Sequence, residues 1–146
     1  MTAANQLQET DINLQNYNIM KLHYYIIILS SLLLSSCVQK TPQKTITVIL
    51  DMTTLENPRQ VGIRGEYPLS WEETTYLEDT NGDKIYEGEF TIYTANNGIE
   101  FKFVNNNNQF ELTDQPNRSL SFEYKPETII YKAKFDTKEY TTITRN

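Results

Sequence analysis

The stretch IYEGEFTIYTANNGIEFKFV, residues 85–104, decides the fold. Tyr86, Gly88, Phe90 and Ile92 recur at every second position, with Glu87, Glu89 and Thr91 between them. Successive side chains of a strand point to opposite faces, so this spacing predicts one buried face and one wet face. Ile99, Phe101 and Phe103 repeat the pattern against Glu100 and Lys102. Ala95-Asn-Asn-Gly98 stands between the two runs, and Asn-Gly tolerates the positive φ of a tight hairpin turn. The segment predicts two antiparallel strands joined as a hairpin.

The same rhythm continues on both sides. Upstream, Ile46, Val48 and Leu50 alternate with Thr47 and Ile49, and Val61 and Ile63 mark a shorter strand. Gly65 to Trp71, with Pro68 inside it, reads as a loop, and Asp79-Thr-Asn-Gly-Asp83 as a turn. Downstream, Asn105 to Asn108 form another turn. Leu120, Phe122 and Tyr124 alternate with polar residues, as do Ile129, Tyr131, Ala133 and Phe135 with Ile130, Lys132 and Lys134. No window after Cys37 sustains a helical period. About six to eight short strands predict an all-β chain, an antiparallel immunoglobulin-like β-sandwich over residues 45–136, with a Thr-rich tail over 137–146.

The front of the chain differs. Residues 20–37 read MKLHYYIIILSSLLLSSC: a basic start, an apolar run from Tyr24 to Leu34, then small residues. That is the layout of a secretory signal, and the run is too short for the ~20 apolar residues of a membrane-spanning helix. Leu34-Ser-Ser-Cys37 resembles the bacterial lipobox. The resemblance implies that Cys37 becomes the acylated first residue of a membrane-anchored lipoprotein, periplasmic or at the cell surface. The plain alternatives are an ordinary signal peptide or an uncleaved anchor. Residues 1–19 are polar and carry Glu9 and Asp11, unlike a signal's start. They read as an over-long gene start or a disordered leader. The organisation expected is therefore a signal peptide at 20–36, a tether at 37–44 and one domain beyond.

Composition narrows the function. The chain has 146 residues and a net charge of -6. An acidic chain of this kind does not read as a nucleic-acid binder. One Cys gives no internal disulfide, and one His, in the segment expected to be removed, gives no multi-His metal site. Asp79, Asn81 and Asp83 resemble the start of a calcium loop, but Lys84 and Phe90 stand where such a loop needs Gly and Glu. No metal and no cofactor is expected. Paired carboxylates hydrolyse glycosides when held about 5–9.5 Å apart across a cleft. Glu72-Glu73, adjacent in sequence on a small sandwich, does not suit that task, so no enzyme activity is expected.

Three segments stand out together: VGIRGEYPLSW at 61–71, IEFKFV at 99–104 and FELTDQPNRSL at 110–120. With NGDKIYEGEF at 81–90 before the second, their order resembles the starch-binding domain of carbohydrate-binding module family 20 and its glycogen-binding relatives. The likeness covers about residues 45–135. It implies a glucan site in which Trp71 stacks on one glucose and Phe110 on a neighbour. Lys102 and Asn117 would bond sugar hydroxyls, and Glu111 would add an acceptor. Phe110 stands where the family has Trp, and the FELTDQPN stretch also allows Leu112 at that position. The family's second site is built on Tyr residues; Tyr67 and Tyr76 stand nearby. Arg118 reads as structural, paired with a carboxylate.

The chemistry is sound on physical grounds. A glucose ring has a CH-rich face that a flat aromatic buries, and a hydroxyl rim left free for hydrogen bonds. Burial contributes about 25 cal/mol per Å², so two stacked rings give a few kcal/mol after the costs of binding. The expected partners are starch or maltooligosaccharide, membrane lipid through Cys37, and other glycan-handling proteins. The rival reading is an immunoglobulin-like spacer or protein-interaction module that binds no sugar.

Overall fold

The computed structural model describes Tyr17, Met20, Lys21, His23, Tyr24 and residues 41–146. The chain divides into two compact units, Met1–Gln39 and Lys40–Asn146. In the first unit the five described residues are helical, and the Lys21 ammonium lies 4.3 Å from the Tyr17 ring centroid. Of the apolar run expected to be the signal only Tyr24 is described; residues 25–34 and Cys37 itself lie outside the described residues. Among those described, no helix is long and apolar enough to cross a membrane.

The second unit is an all-β sandwich. Its strands are β1 (Gln43–Asp51), β2 (Gly62–Gly65), β3 (Thr75–Tyr76), β4 (Ile85–Tyr93), β5 (Gly98–Asn105), β6 (Gln109–Phe110), β7 (Arg118–Ser121), β8 (Glu127–Lys134) and β9 (Thr137–Arg145). One sheet runs β4-β1-β8-β9, and the other runs β3-β2-β5-β6 with β7 also on β5. The alternation read from the sequence fills the space between them. Ile46, Val48 and Leu50 of β1 and Ile129, Tyr131 and Ala133 of β8 meet Ile63, Phe101, Phe103 and Leu120 of the facing sheet. Phe101 and Tyr131 touch edge-to-face across the gap, with centroids 5.1 Å apart.

The structure departs from expectation in four places. The strands number nine among the described residues, because β3 and β6 are two-residue pairings without a periodic signature. The central pair β1–β8 is parallel, whereas all other pairings are antiparallel. Ala95-Asn-Asn-Gly98 makes no hairpin. β4 pairs with β1 and β5 with β2, so this link carries the chain from one sheet to the other. Neither Asn97 nor Gly98 adopts a positive φ. Lastly, the expected tail 137–146 is largely strand β9, paired with β8 at the sheet edge, and the expected tether 37–44 gives its last two residues to β1.

Lys44 shows what that last correction means. It is fully buried, and its ammonium donates to the carbonyls of Glu123 and Lys125 and to Glu127 Oε2 at 2.6 Å. Glu127 Oε1 in turn takes Arg145 Nη1 at 2.5 Å. Three strand ends and the turn before β8 are tied through one carboxylate. Burial alone would raise the Glu127 pKa; the hydrogen bonds from Lys44, the Glu123 N–H and Arg145 outweigh it and hold the carboxyl below the ordinary glutamate value.

Candidate functional site

The alternation that buries Ile63, Phe101 and Phe103 must turn their neighbours outward. Arg64 of β2 and Lys102 of β5 are therefore side by side on the outer face of the five-stranded sheet. Phe110 lies opposite Val104, and Glu100 opposite Ser119, on the same face. Arg64 is the hub. Its Nε donates to Thr74 Oγ1 at 2.8 Å and its Nη1 to the Trp71 carbonyl at 3.5 Å. Its guanidinium carbon sits 5.6 Å from the Phe110 ring centroid. One cation thus meets both the Trp71 loop and Phe110.

Trp71 is 40% exposed, outside the core, on the loop between β2 and β3. The loop is pinned from below and at both ends. Leu69 is buried among the core residues, Gly65 N donates to Ser70 O, and Leu69 N donates to Glu66 O. Glu66 N donates to Glu100 O, and Glu100 N donates back to Glu66 Oε2 at 2.8 Å. Gly65 allows this approach: a Cβ there would stand 2.4 Å from Glu100 O. The adjacent Glu72 and Glu73 are exposed, and their N–H groups both bond Ser70 Oγ.

The other residues fall out as follows. Lys102 is half-buried, and its ammonium donates to Leu112 O at 2.7 Å and Gln115 O at 3.1 Å. It is a strut for the loop between β6 and β7, with one of its three N–H groups beyond those two bonds. Asn117, at the end of that loop, donates its amide nitrogen to Glu100 Oε2 at 3.0 Å. Phe110 is half-buried and faces outward, while Leu112 is buried, so Phe110 is the ring on this face. The Asp79–Asp83 segment is a turn whose Asp79 oxygens accept from Gly82 N and Lys84 N.

Glu111 is the correction. It is fully buried and cannot reach a sugar on the outer surface. Phe110 faces out, so the next residue of a strand faces in. Glu111 forms a two-pronged pair with buried Arg118, Nε to Oε1 at 2.6 Å and Nη2 to Oε2 at 2.8 Å. Arg118 also reaches Thr141 Oγ1 and the Lys134 and Thr137 carbonyls, so the pair links the two sheets. Burial alone would strip charge from Arg118, but the hydrogen bond and attraction of Glu111 outweigh it and hold its pKa above the usual value. The structural role read for Arg118 from the sequence is the one it fills.

Sequence reasoning passed over Arg64, although it lies in VGIRGEYPLSW between two buried neighbours, Ile63 and Gly65. Tyr67 stands on the same loop as Trp71 and is 74% exposed.

No protein-family model matches the chain, and no curated protein matches it. Solved structures similar to it include CBM25-2 of the β/α-amylase from Paenibacillus polymyxa. That likeness has 15% identity and a TM-score of 0.41, covering 73% of this chain and 95% of that one. CBM25-1 of the same amylase is similar at 16% identity and a TM-score of 0.39, covering 71% of this chain and 93% of that one.

Proposed function

We propose that this chain is a non-catalytic carbohydrate-binding module that holds starch or another α-1,4-glucan. The observation that carries the reading is the position of its sole tryptophan. Trp71 stands exposed on a loop fixed by buried Leu69 and by Arg64, beside the sheet face that carries Phe110, Lys102 and Asn117. An exposed indole on a rigid loop loses little freedom when a sugar ring covers it. In this reading Trp71 stacks on one glucose, and Phe110 with Arg64 lies along the chain's path. Lys102 and Asn117 contribute hydrogen bonds at its rim. Glu111 takes no part.

The test uses a starch-containing affinity gel and the full chain. Trp71→Ala is expected to abolish retention while leaving the urea-unfolding midpoint almost unchanged. Equal retention of the variant removes the proposed site, and no retention of the unaltered chain favours the spacer reading.

We further propose that Cys37 is acylated and anchors the domain at a bacterial membrane, with lipid as second partner and glycan-handling proteins as neighbours. The order of charged start, apolar run, small residues and Cys37 supports this. Mass spectrometry of protein extracted from membranes is expected to show a mature chain that begins at lipid-modified Cys37. A native product containing peptides from residues 1–36 would contradict it.

A further inference from the structure

We propose that Pro42, Tyr93, Tyr124 and Pro126 form a face that rests on the lipid surface of the membrane, so that the sandwich stands on this end rather than swinging free of the bilayer. This inference rests on the reading of Cys37 as the acylated residue. The four side chains line one groove whose walls are predominantly apolar. Tyr93 is 64% exposed and Tyr124 63% exposed. Apolar side chains gathered in one exposed groove, rather than scattered singly, mark an interaction surface. The occupant follows from where the chain enters. Thr41, at the head of the described domain, lines the same groove. Three residues, Val38, Gln39 and Lys40, separate it from Cys37. A chain advances at most about 3.3–3.6 Å per residue, so Thr41 lies no more than ~14 Å from Cys37. A small domain is roughly 30 Å across. With acylated Cys37 in the bilayer, the end that carries the groove is the end held at the lipid headgroups.

The residue types suit that boundary. Tyrosine concentrates where hydrocarbon meets water, because its ring is apolar and its hydroxyl stays wet. The Tyr93 hydroxyl donates to Gln43 Oε1 at 3.3 Å, which keeps the polar tip of the ring satisfied. Lys125 is the one charged residue lining the groove among the described residues. Its ammonium lies 2.6 Å from the exposed Glu123 carboxylate, so the pair brings no net charge to the face. A lysine stem lies along apolar surface while its head stays in water. The backbone beneath is set beforehand. Buried Lys44 donates to the carbonyls of Glu123 and Lys125, Glu123 N donates to Glu127 Oε2 at 2.9 Å, and Thr94 N donates to Pro42 O at 3.1 Å. Order already present in the free protein need not be imposed by the lipid. Trp71 belongs to the other layer. Its loop leaves β2 of the five-stranded sheet, whereas Tyr93 closes β4, and Pro42 and Pro126 directly precede β1 and β8, all of the four-stranded sheet.

The experiment reconstitutes the chain, extracted from membranes, into phosphatidylcholine vesicles whose acyl chains carry bromine, a short-range quencher of indole emission. The unaltered chain reports through Trp71, its sole tryptophan. The double variant Trp71→Phe with Tyr124→Trp carries its only indole in the groove. The indole at 124 is expected to lose at least about half of its emission relative to unbrominated vesicles, and Trp71 less than about one tenth. Adding Tyr93→Ser to the double variant is expected to cut the quenching about twofold. Urea unfolding checks that each variant retains its fold; Tyr93 and Tyr124, being mostly exposed, have little core contact to lose. An indole at 124 that keeps its emission on vesicles that have bound the chain overturns the lipid face and leaves the Cys37 reading standing. Equal quenching at 124 and at Trp71 also overturns it, because the domain then has no preferred end against the lipid. So does emission at 124 that shifts to the blue with rising protein concentration in the absence of lipid, which makes a second copy the occupant. A chain that carries no lipid at Cys37 and stays free of the vesicles overturns the anchor reading and this inference with it.

Discussion

Glu111→Ala is expected to cost about 3–5 kcal/mol of folding stability, the scale seen when one member of a buried ion pair is removed. Small domains hold only about 5–15 kcal/mol in total, so the urea midpoint should fall steeply. The cause is specific. Arg118 would remain 1% exposed with its charge intact and lose both prongs of its carboxylate partner. Phe103 N and Asp136 N would lose an acceptor at the same time. Replacing both partners together, Glu111→Leu with Arg118→Met, should cost less than Glu111→Ala alone, because no buried charge is stranded. Equilibrium unfolding of the three variants checks this. A loss below about 1 kcal/mol for Glu111→Ala would mean that water or other acceptors satisfy Arg118.

Lys44→Met is expected to cost about 2–4 kcal/mol, somewhat less, because Arg145 still faces the Glu127 carboxylate. It also has a pH signature. Glu127 is held below its ordinary value in the folded state, so its contribution is fully present above the unfolded-state value. The contribution is lost as pH falls through the lower, folded value, because protons then bind the unfolded chain first. With Lys44 removed, burial pushes the carboxyl back up and the acid-side slope from this group flattens. Unfolding midpoints measured from neutral pH down through the carboxylate range should therefore converge between the two proteins. Parallel curves would show that Lys44 and Glu127 are not coupled.

Much of the fold was readable because burial has a period. β1 and β8 bury every second side chain, and β5 does so as far as Phe103; apart from Lys44 and Glu127 at the strand starts, those positions are the ones the sequence marks with apolar residues. β9 was not readable for the same reason. It lies at a sheet edge, none of its side chains is buried, Thr142, Ile143 and Thr144 are exposed in succession and so on both faces, and no alternation results. Alternation names faces and not partners, so it could not distinguish the sheet-crossing link at Ala95–Gly98 from a hairpin, nor foresee a parallel β1–β8 pair. At the site, the outward positions of Lys102 and Phe110 follow from the period. The inward turn of Glu111 follows from it too, once β6 is known, but a strand of two residues leaves no periodic trace. Trp71 and Tyr67 lie in a loop, where exposure depends on how Leu69 is anchored rather than on any repeat.

Lys44 lies opposite Glu127, and Asn146 exchanges backbone hydrogen bonds with Thr128, one residue further on. The strand that enters the sandwich and the strand that leaves it meet over a single dipeptide. A circular permutant joining Asn146 to Pro42 needs only a short linker, and fresh termini placed at Asn108, in the turn beyond β5, would fall at an exposed tip. The domain is in this sense almost a closed loop of chain, and the order in which its strands are synthesised is separable from the shape that they make.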